Sequence, residues 1–167
     1  MEATYPAQER DRSVFRAMQA VNADGWRGDS LVQWPNGYIG RPVIVSWQDL
    51  YSGAILGWRV DRTENLDLIR LSLSDVLRSY GIPDEVYLDN GHAFSALWLS
   101  GRTPNRFRFK IRAEEPDGIF NLLGIKVHWV TPRHGQAKPI ERAHGEYADR
   151  ISRHPRLAGS WLGPNTV

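Results

Sequence analysis

The stretch from residue 42 to residue 89 constrains the fold most strongly, because its local signals predict two strands, a helix and a third strand, in that order. Two β-rich runs, 42–47 and 54–60, are joined by turn residues at 49–53, a pattern typical of a hairpin. The next segment, 65–80, begins with an Asn suited to cap a helix, carries one apolar stripe, and is followed by Gly and then Pro. A hairpin followed by an amphipathic helix predicts a sheet with a helix packed against it.

A short buried strand with an acidic residue at its tip follows that helix. Residues 86–88 are Val, Tyr and Leu, and Asp89 comes directly before Asn90 and Gly91, a strong turn signal. Open α/β sheets place their chemistry at strand ends of this kind. Asx residues also open turns for local reasons. This stretch alone therefore leaves two interpretations of Asp89 open, a functional carboxylate and a plain turn residue.

Weaker signals predict the remaining elements. They are a first strand at 17–24, a loop or irregular hairpin at 26–41, a short helix capped by Asp117 and ending at Leu123, a strand at 125–130, and a helix from Pro139 to about 151. The order of elements predicts an α/β fold with a mixed sheet and helices on both faces. We expect one domain at 14–167, preceded by a flexible lead-in at 1–13.

Composition excludes several classes of protein. The 167 residues include no Cys, which rules out disulfides and thiolate metal sites and fits a reducing compartment. No apolar run approaches the length of a membrane span, and the N-terminus is too polar for a secretory signal. We therefore expect a soluble cytoplasmic protein with no membrane partner.

The charges are unevenly distributed along the chain. Residues 101–167 contain 12 Lys and Arg against 6 Asp and Glu, whereas residues 61–100 contain 3 against 7. Within the basic part, the segment 104–112 alternates apolar residues with four cations, Arg106, Arg108, Lys110 and Arg112. An extended chain would place these cations on one face, where they could follow the phosphates of DNA. A solvated face of a half-buried strand explains the same pattern.

Several motifs, in the same order along the chain, carry a resemblance to a known family. They are NADGW at 22–26, WQD at 47–49, ILGW at 55–58, YGIP at 80–83, DN at 89–90, PNR at 104–106 and GQAKPIERA at 135–143. Together they resemble the catalytic core of the phage Mu transposases and, more widely, the DDE transposases and retroviral-type integrases. The resemblance extends from about Met18 to the PNT at 164–166, which is nearly the whole chain.

The resemblance implies a fold, a site and an activity. The expected fold is RNase H-like, of the integrase type, with a mixed five-stranded sheet. The acidic triad of the family falls on Asp24, Asp89 and Glu141, which would hold Mg²⁺ or Mn²⁺. Hard carboxylate oxygens suit these ions, and two of them can serve phosphodiester transfer. The implied activity is that of a polynucleotidyl transferase, which nicks transposon ends and transfers their 3′-hydroxyls to target DNA.

The resemblance also implies partners. These are transposon-end and target DNA, further copies of the full-length protein, and an ATPase that selects the target. Lys138 and Arg142, on either side of Glu141, could contact DNA or simply moderate local charge. A non-catalytic DNA-binding or assembly module, or a nuclease that cuts without joining, are the alternative functions.

Other residues compete for the same roles. Asp49 is a weaker candidate than Asp24 because it opens a hairpin turn, and Asp29 is weaker still. Glu146 is five residues beyond Glu141 and would point to another side of the helix. His144 shares a helical face with Glu141, so it could approach the site. His128 is expected to be structural. The seven tryptophans are expected to lie mostly in the core.

Overall fold

The computed structural model describes residues 12–89, 94–103, 116–130 and 139–163. Its main element is a five-stranded mixed sheet with the strand order β5-β4-β1-β6-β7. The strands are β1 (Ala20–Arg27), β4 (Val43–Asp49), β5 (Ile55–Asp61), β6 (Glu85–Asp89) and β7 (Lys126–Val130), and a small separate hairpin consists of β2 (Val32–Gln33) and β3 (Ile39–Gly40). Strands β5, β4 and β1 are antiparallel, whereas β1, β6 and β7 are parallel.

Within the described ranges, four α-helices accompany the sheet. They are α1 (Leu66–Tyr80), α2 (Leu97–Ser100), α3 (Ile119–Leu122) and α4 (Pro139–Tyr147), with a π-helical turn at Ala148–Ser152 and 3-10 turns at Arg12–Val14 and Pro155–Leu157. Asn65 caps α1 as predicted, because its side chain accepts a hydrogen bond from the Leu68 amide. In the part of the chain that the structure describes, no helix is both long and apolar enough to cross a membrane.

The two faces of the sheet differ because side chains alternate along each strand. One face is apolar and packs against α1. Its residues are fully buried: Val21, Ala23, Val45, Trp47, Val86 and Leu88 from the sheet, and Ile69, Leu73 and Val76 from the helix. The other face carries polar residues, including Asn22, Asp24, Ser46 and Gln48, and α4 lies against β1 on it.

The predicted hairpin, the helix after it and the strands ending at Asp89 and Val130 are confirmed. The predicted bounds of the first strand were wrong, because β1 begins at Ala20 and extends to Arg27. Met18 has a φ of 61°, and the Gln19 amide donates to the Arg16 carbonyl, so a turn occupies the start of the predicted range. Asp24 therefore lies inside the strand.

Two further predictions were wrong. Asp117 does not cap α3: the helix begins after Gly118, and no side-chain hydrogen bond caps it. The tryptophans are also less uniformly buried than predicted. Trp47 is fully buried, but Trp58, Trp98 and Trp161 are 60%, 44% and 45% exposed.

The segment after α4 returns to the loop that follows β1. Ser30 forms a β-bridge with Trp161, the Leu162 amide donates to the Asp29 carbonyl, and the Ser30 hydroxyl donates to the Ser152 carbonyl. These bonds satisfy buried polar groups of a loop that would otherwise lose its hydrogen bonds to water. The segment therefore holds the loop beyond Asp24 in place.

Candidate active site

The parallel pairing of β1 and β6 brings two carboxylates to one edge of the sheet. Asn22 lies beside Tyr87 in the register of these strands. Asp24 and Asp89 each follow two residues later, so both side chains project from the same face. Both residues are partly buried, and Asp89 is the last residue of β6. The strands thus place Asp24 and Asp89 on neighbouring positions of a rigid element.

The surroundings of Asp24 are polar on both sides. The Gly25 amide donates to Asp24 Oδ1 at 2.9 Å. Across the antiparallel pair, Ser46 of β4 lies directly opposite Asp24. The backbone hydrogen bond and the strand pairing fix the orientation of the Asp24 carboxylate at this edge of the sheet.

Glu141 belongs to α4, the helix that packs against β1 on this face of the sheet. It lies in the first turn of the helix and is exposed, whereas Ile140 beside it is fully buried. Among the described residues, no three His, Asp or Glu side chains are close enough to hold a metal ion together. The structure therefore brings Asp24 and Asp89 to a common edge and places Glu141 on the neighbouring helix without completing a three-ligand cluster.

A buried polar and aromatic cluster attaches α4 to the sheet. His144 is only 7% exposed, and its Nε2 lies 3.0 Å from Ser46 Oγ. The His144 ring stacks on Trp26 with centroids 6.3 Å apart, and Tyr147 packs against both rings. Burial raises the pKa of the Tyr147 phenol above its usual value, and a hydrogen bond with Ser46 partly opposes this.

The sequence pointed to His144 but not to its partners Ser46, Trp26 and Tyr147. Tyr147 follows His144 by three residues, and Trp26 follows Asp24 by two, so helical and strand spacing placed each pair on one face. The signal that was missing is the register between β1 and β4, which sets Ser46 opposite Asp24.

The competing carboxylates have local roles in the structure. Asp49 Oδ2 accepts hydrogen bonds from the amide and hydroxyl of Ser52, and its Oδ1 accepts from the Met18 amide. The two bonds from Ser52 close the β4–β5 turn, as predicted, and the bond from Met18 ties this turn to the segment before β1. Asp29 is buried, and its Oδ1 lies 3.6 Å from Arg41 Nη1.

The remaining candidates fall into two groups. His128 is structural as predicted, since its ring stacks on Tyr87 at 4.5 Å and its Nε2 lies 2.6 Å from Glu85 Oε2. Glu146 and Arg142 are exposed on α4. The other predicted DNA contacts and the turn after Asp89 lie outside the described residues: Asn90, Gly91, Arg106, Arg108, Lys110, Arg112 and Lys138.

Comparison with known sequences identifies the family to which this fold and site belong. The sequence model of the bacteriophage Mu transposase family matches residues 13–167. The chain belongs to the bacteriophage Mu transposase family. The predicted family resemblance is therefore confirmed.

One relative and one solved structure are similar to this Mu transposase family chain. The Mu-like prophage FluMu transposase A of Haemophilus influenzae is 40% identical over 167 residues, which cover 96% of this chain and 24% of that protein. The chain thus spans about a quarter of the length of this relative. A chain in the simian T-cell lymphotropic virus intasome, solved with the PP2A regulatory subunit B56 gamma, is 16% identical with a TM-score of 0.52, covering 79% of this chain and 42% of that chain. At that identity the likeness shows the fold alone, which is RNase H-like.

The donor groups at the sheet edge fit the cation that this family uses. DDE transposases and integrases generally use a divalent metal ion. Asp24 and Asp89 offer hard carboxylate oxygens, which Mg²⁺ and Mn²⁺ prefer. On the same face of the sheet, the buried Asn22 Oδ1 has no hydrogen-bond partner among the described residues, so a further oxygen acceptor lies two residues before Asp24 on β1. Asp24 and Asp89 therefore offer donor atoms of the kind that a divalent metal ion takes.

Proposed function

We propose that the chain is the polynucleotidyl transferase core of a Mu-like DNA transposase, which nicks transposon ends and transfers the 3′-hydroxyl to target DNA. The observation that carries the proposal is the common edge shared by Asp24 and Asp89 on adjacent parallel strands. The family match supports the reaction class. A carboxylate pair on rigid strands is suited to hold cations in a fixed geometry.

Asp24, Asp89 and Glu141 would hold the Mg²⁺ or Mn²⁺. When bound, two such ions neutralise charge at phosphorus and activate the attacking oxygen. The strands contribute a fixed pair of ligands, whereas Glu141 comes from the first turn of α4. Because the three side chains do not form one metal-binding group in the described residues, the Glu141 side chain must turn toward the strand pair for all three carboxylates to act together, while α4 stays docked against β1.

DNA is the proposed substrate, and its contacts extend beyond the carboxylates. Arg142 is exposed on α4 next to Glu141, where it can reach a phosphate near the site. We assign Lys138 and the cations Arg106, Arg108, Lys110 and Arg112 to DNA binding on the sequence pattern and the excess of positive charge in residues 101–167. Assembly into multimers and contact with a target-selecting ATPase are proposed for the longer protein.

Asp89→Asn tests the proposed function, because it removes a metal ligand with almost no change in volume. We expect loss of both plasmid nicking and joining of a labelled oligonucleotide in Mn²⁺, with DNA affinity within about twofold of wild type. The measurements are gel assays for the two reactions and fluorescence anisotropy for binding. Glu146→Gln, an exposed acid on α4, is the matched control. Full activity in Asp89→Asn would contradict the assignment, and nicking without joining by the wild type would indicate a nuclease.

A further inference from the structure

The helix that carries Glu141 makes a described side-chain hydrogen bond to the sheet through His144. Glu141 and His144 are three residues apart, which places them on the same side of α4, one turn from each other. Glu141 is exposed in the first turn, and His144 is buried in the next. Whatever holds His144 to the sheet therefore also restrains the turn that carries Glu141, together with the fully buried Ile140 beside it.

The partner of His144 is the residue opposite the first carboxylate. Ser46 is fully buried, accepts or donates a hydrogen bond at 3.0 Å from His144 Nε2, and pairs with Asp24 across β1 and β4. The path from Asp24 to Glu141 thus consists of one strand pairing, one buried hydrogen bond and one helical turn. A buried hydrogen bond of this kind is directional and is costly to break, because its partners are shielded from water.

Aromatic packing restricts the imidazole further. The rings of His144 and Trp26 are inclined by only 26°, and Tyr147 closes the other side of the cluster with centroids 5.7 Å from His144 and 5.9 Å from Trp26. Trp26 lies two residues beyond Asp24 on the same strand. The cluster is therefore fixed to the strand that carries Asp24.

From these contacts we infer that the Ser46–His144 hydrogen bond positions Glu141. The bond holds the second turn of α4 to the sheet, so that the first turn can present Glu141 to the metal at Asp24 and Asp89. The inference rests on the proposed function. His144 is a positioning residue, since it acts through the helix and not on the metal. Groups that orient metal ligands from outside the ligand set change metal affinity by about 10- to 100-fold when they are removed.

Manganese affinity tests the inference without relying on catalysis. The wild-type chain and its variants are titrated with Mn²⁺ in the presence of a DNA duplex, and free Mn²⁺ is measured by electron paramagnetic resonance. His144→Phe keeps the ring packing but removes the hydrogen bond, and Ser46→Ala removes its partner together with the hydrogen bond to Tyr147. We expect both to weaken Mn²⁺ binding about tenfold, as Glu141→Gln does. Circular dichroism and urea unfolding establish that each variant is folded.

Two further variants separate positioning from general damage to the helix. His144→Gln places an amide N–H near the position of Nε2 and should restore affinity to within about threefold of wild type, while Glu146→Gln should bind as wild type does. Wild-type affinity in His144→Phe, with weakened binding in Glu141→Gln, would overturn the inference alone. Wild-type Mn²⁺ affinity in both Asp89→Asn and Glu141→Gln would show that these carboxylates do not bind the metal, and would overturn the proposed function as well.

Discussion

The two faces of the central sheet have opposite chemistry, although the same strands form both. The face against α1 is built from fully buried apolar residues, whereas the face against α4 buries Asn22, Ser46 and Gln48 and carries Asp24. Burial of apolar area stabilises the fold, but burial of polar groups costs free energy unless each is hydrogen-bonded. One face thus supplies the stability that allows the other to hold carboxylates together.

The cost of the polar face is visible in its hydrogen bonds. Asn22 Oδ1 and Gln48 Oε1 are buried without a partner among the described residues, and these two residues are paired across β1 and β4. An unsatisfied buried acceptor of this kind costs about 1–3 kcal/mol. Both unsatisfied acceptors lie on the sheet face that carries Asp24. Such a cost is typical of a face that serves binding and not stability.

Two tryptophans on neighbouring strands should differ most in how much they contribute to the free energy of unfolding. Trp47 is fully buried on the α1 face, and its indole N–H donates to Ser72 Oγ, whereas Trp58 is 60% exposed. Trp47→Ala should lower the free energy of unfolding by about 3–5 kcal/mol. Trp58→Ala should change it by less than about 0.5 kcal/mol. Urea denaturation measures both, and comparable losses would show that the two faces contribute equally to stability.

A smaller effect is expected at the rim of the α1 face. Arg59 of β5 donates to both carboxylate oxygens of Asp75 on α1, at 2.7 and 2.9 Å. The hydrogen bonds from Arg59 lower the pKa of the Asp75 carboxyl, so the pair contributes stability above the ordinary aspartate pKa of about 4, and this contribution is lost as the pH falls through the lowered pKa.

Asp75→Asn tests this linkage. The stability difference from wild type should be constant above about pH 5 and should shrink as the pH falls below about 4, because the wild-type carboxylate is then protonated. Unfolding midpoints measured from pH 2 to 7 give the profile, and Arg59→Gln should reproduce it. The effect should be small, since exposed ion pairs contribute little. A difference that grows toward low pH would contradict the assigned cause.

Local signals were sufficient to predict most of the fold. The helix α1 was predictable because its cap, its apolar stripe and its terminal Gly all agree, and the β4–β5 hairpin because Asp49 and Gly53 bracket a turn between two β-rich runs. The start of β1 was not predictable, because the left-handed backbone of Met18 has no sequence signature.

The site was only partly predictable. Spacing alone left Asp89 open between a turn residue and a ligand, and the roles of Asp24, Asp89 and Glu141 come from the family resemblance and stay predictions. The contact between Ser46 and His144 could not be predicted, because it depends on the strand register and on how α4 docks. The exposure of Trp58 could not be predicted for a similar reason, because an aromatic side chain does not indicate which face of the sheet a helix will cover.

We propose that the polar face of the sheet holds a divalent metal ion at the edge shared by Asp24 and Asp89. A crystal structure of the chain grown with a DNA duplex and soaked in Mn²⁺, with anomalous scattering used to locate the ion, tests this metal site. We expect manganese bound by both aspartates, with Glu141 turned toward it from α4. Manganese bound elsewhere, with Asp24 and Asp89 free of it, would show that this edge is not the metal site.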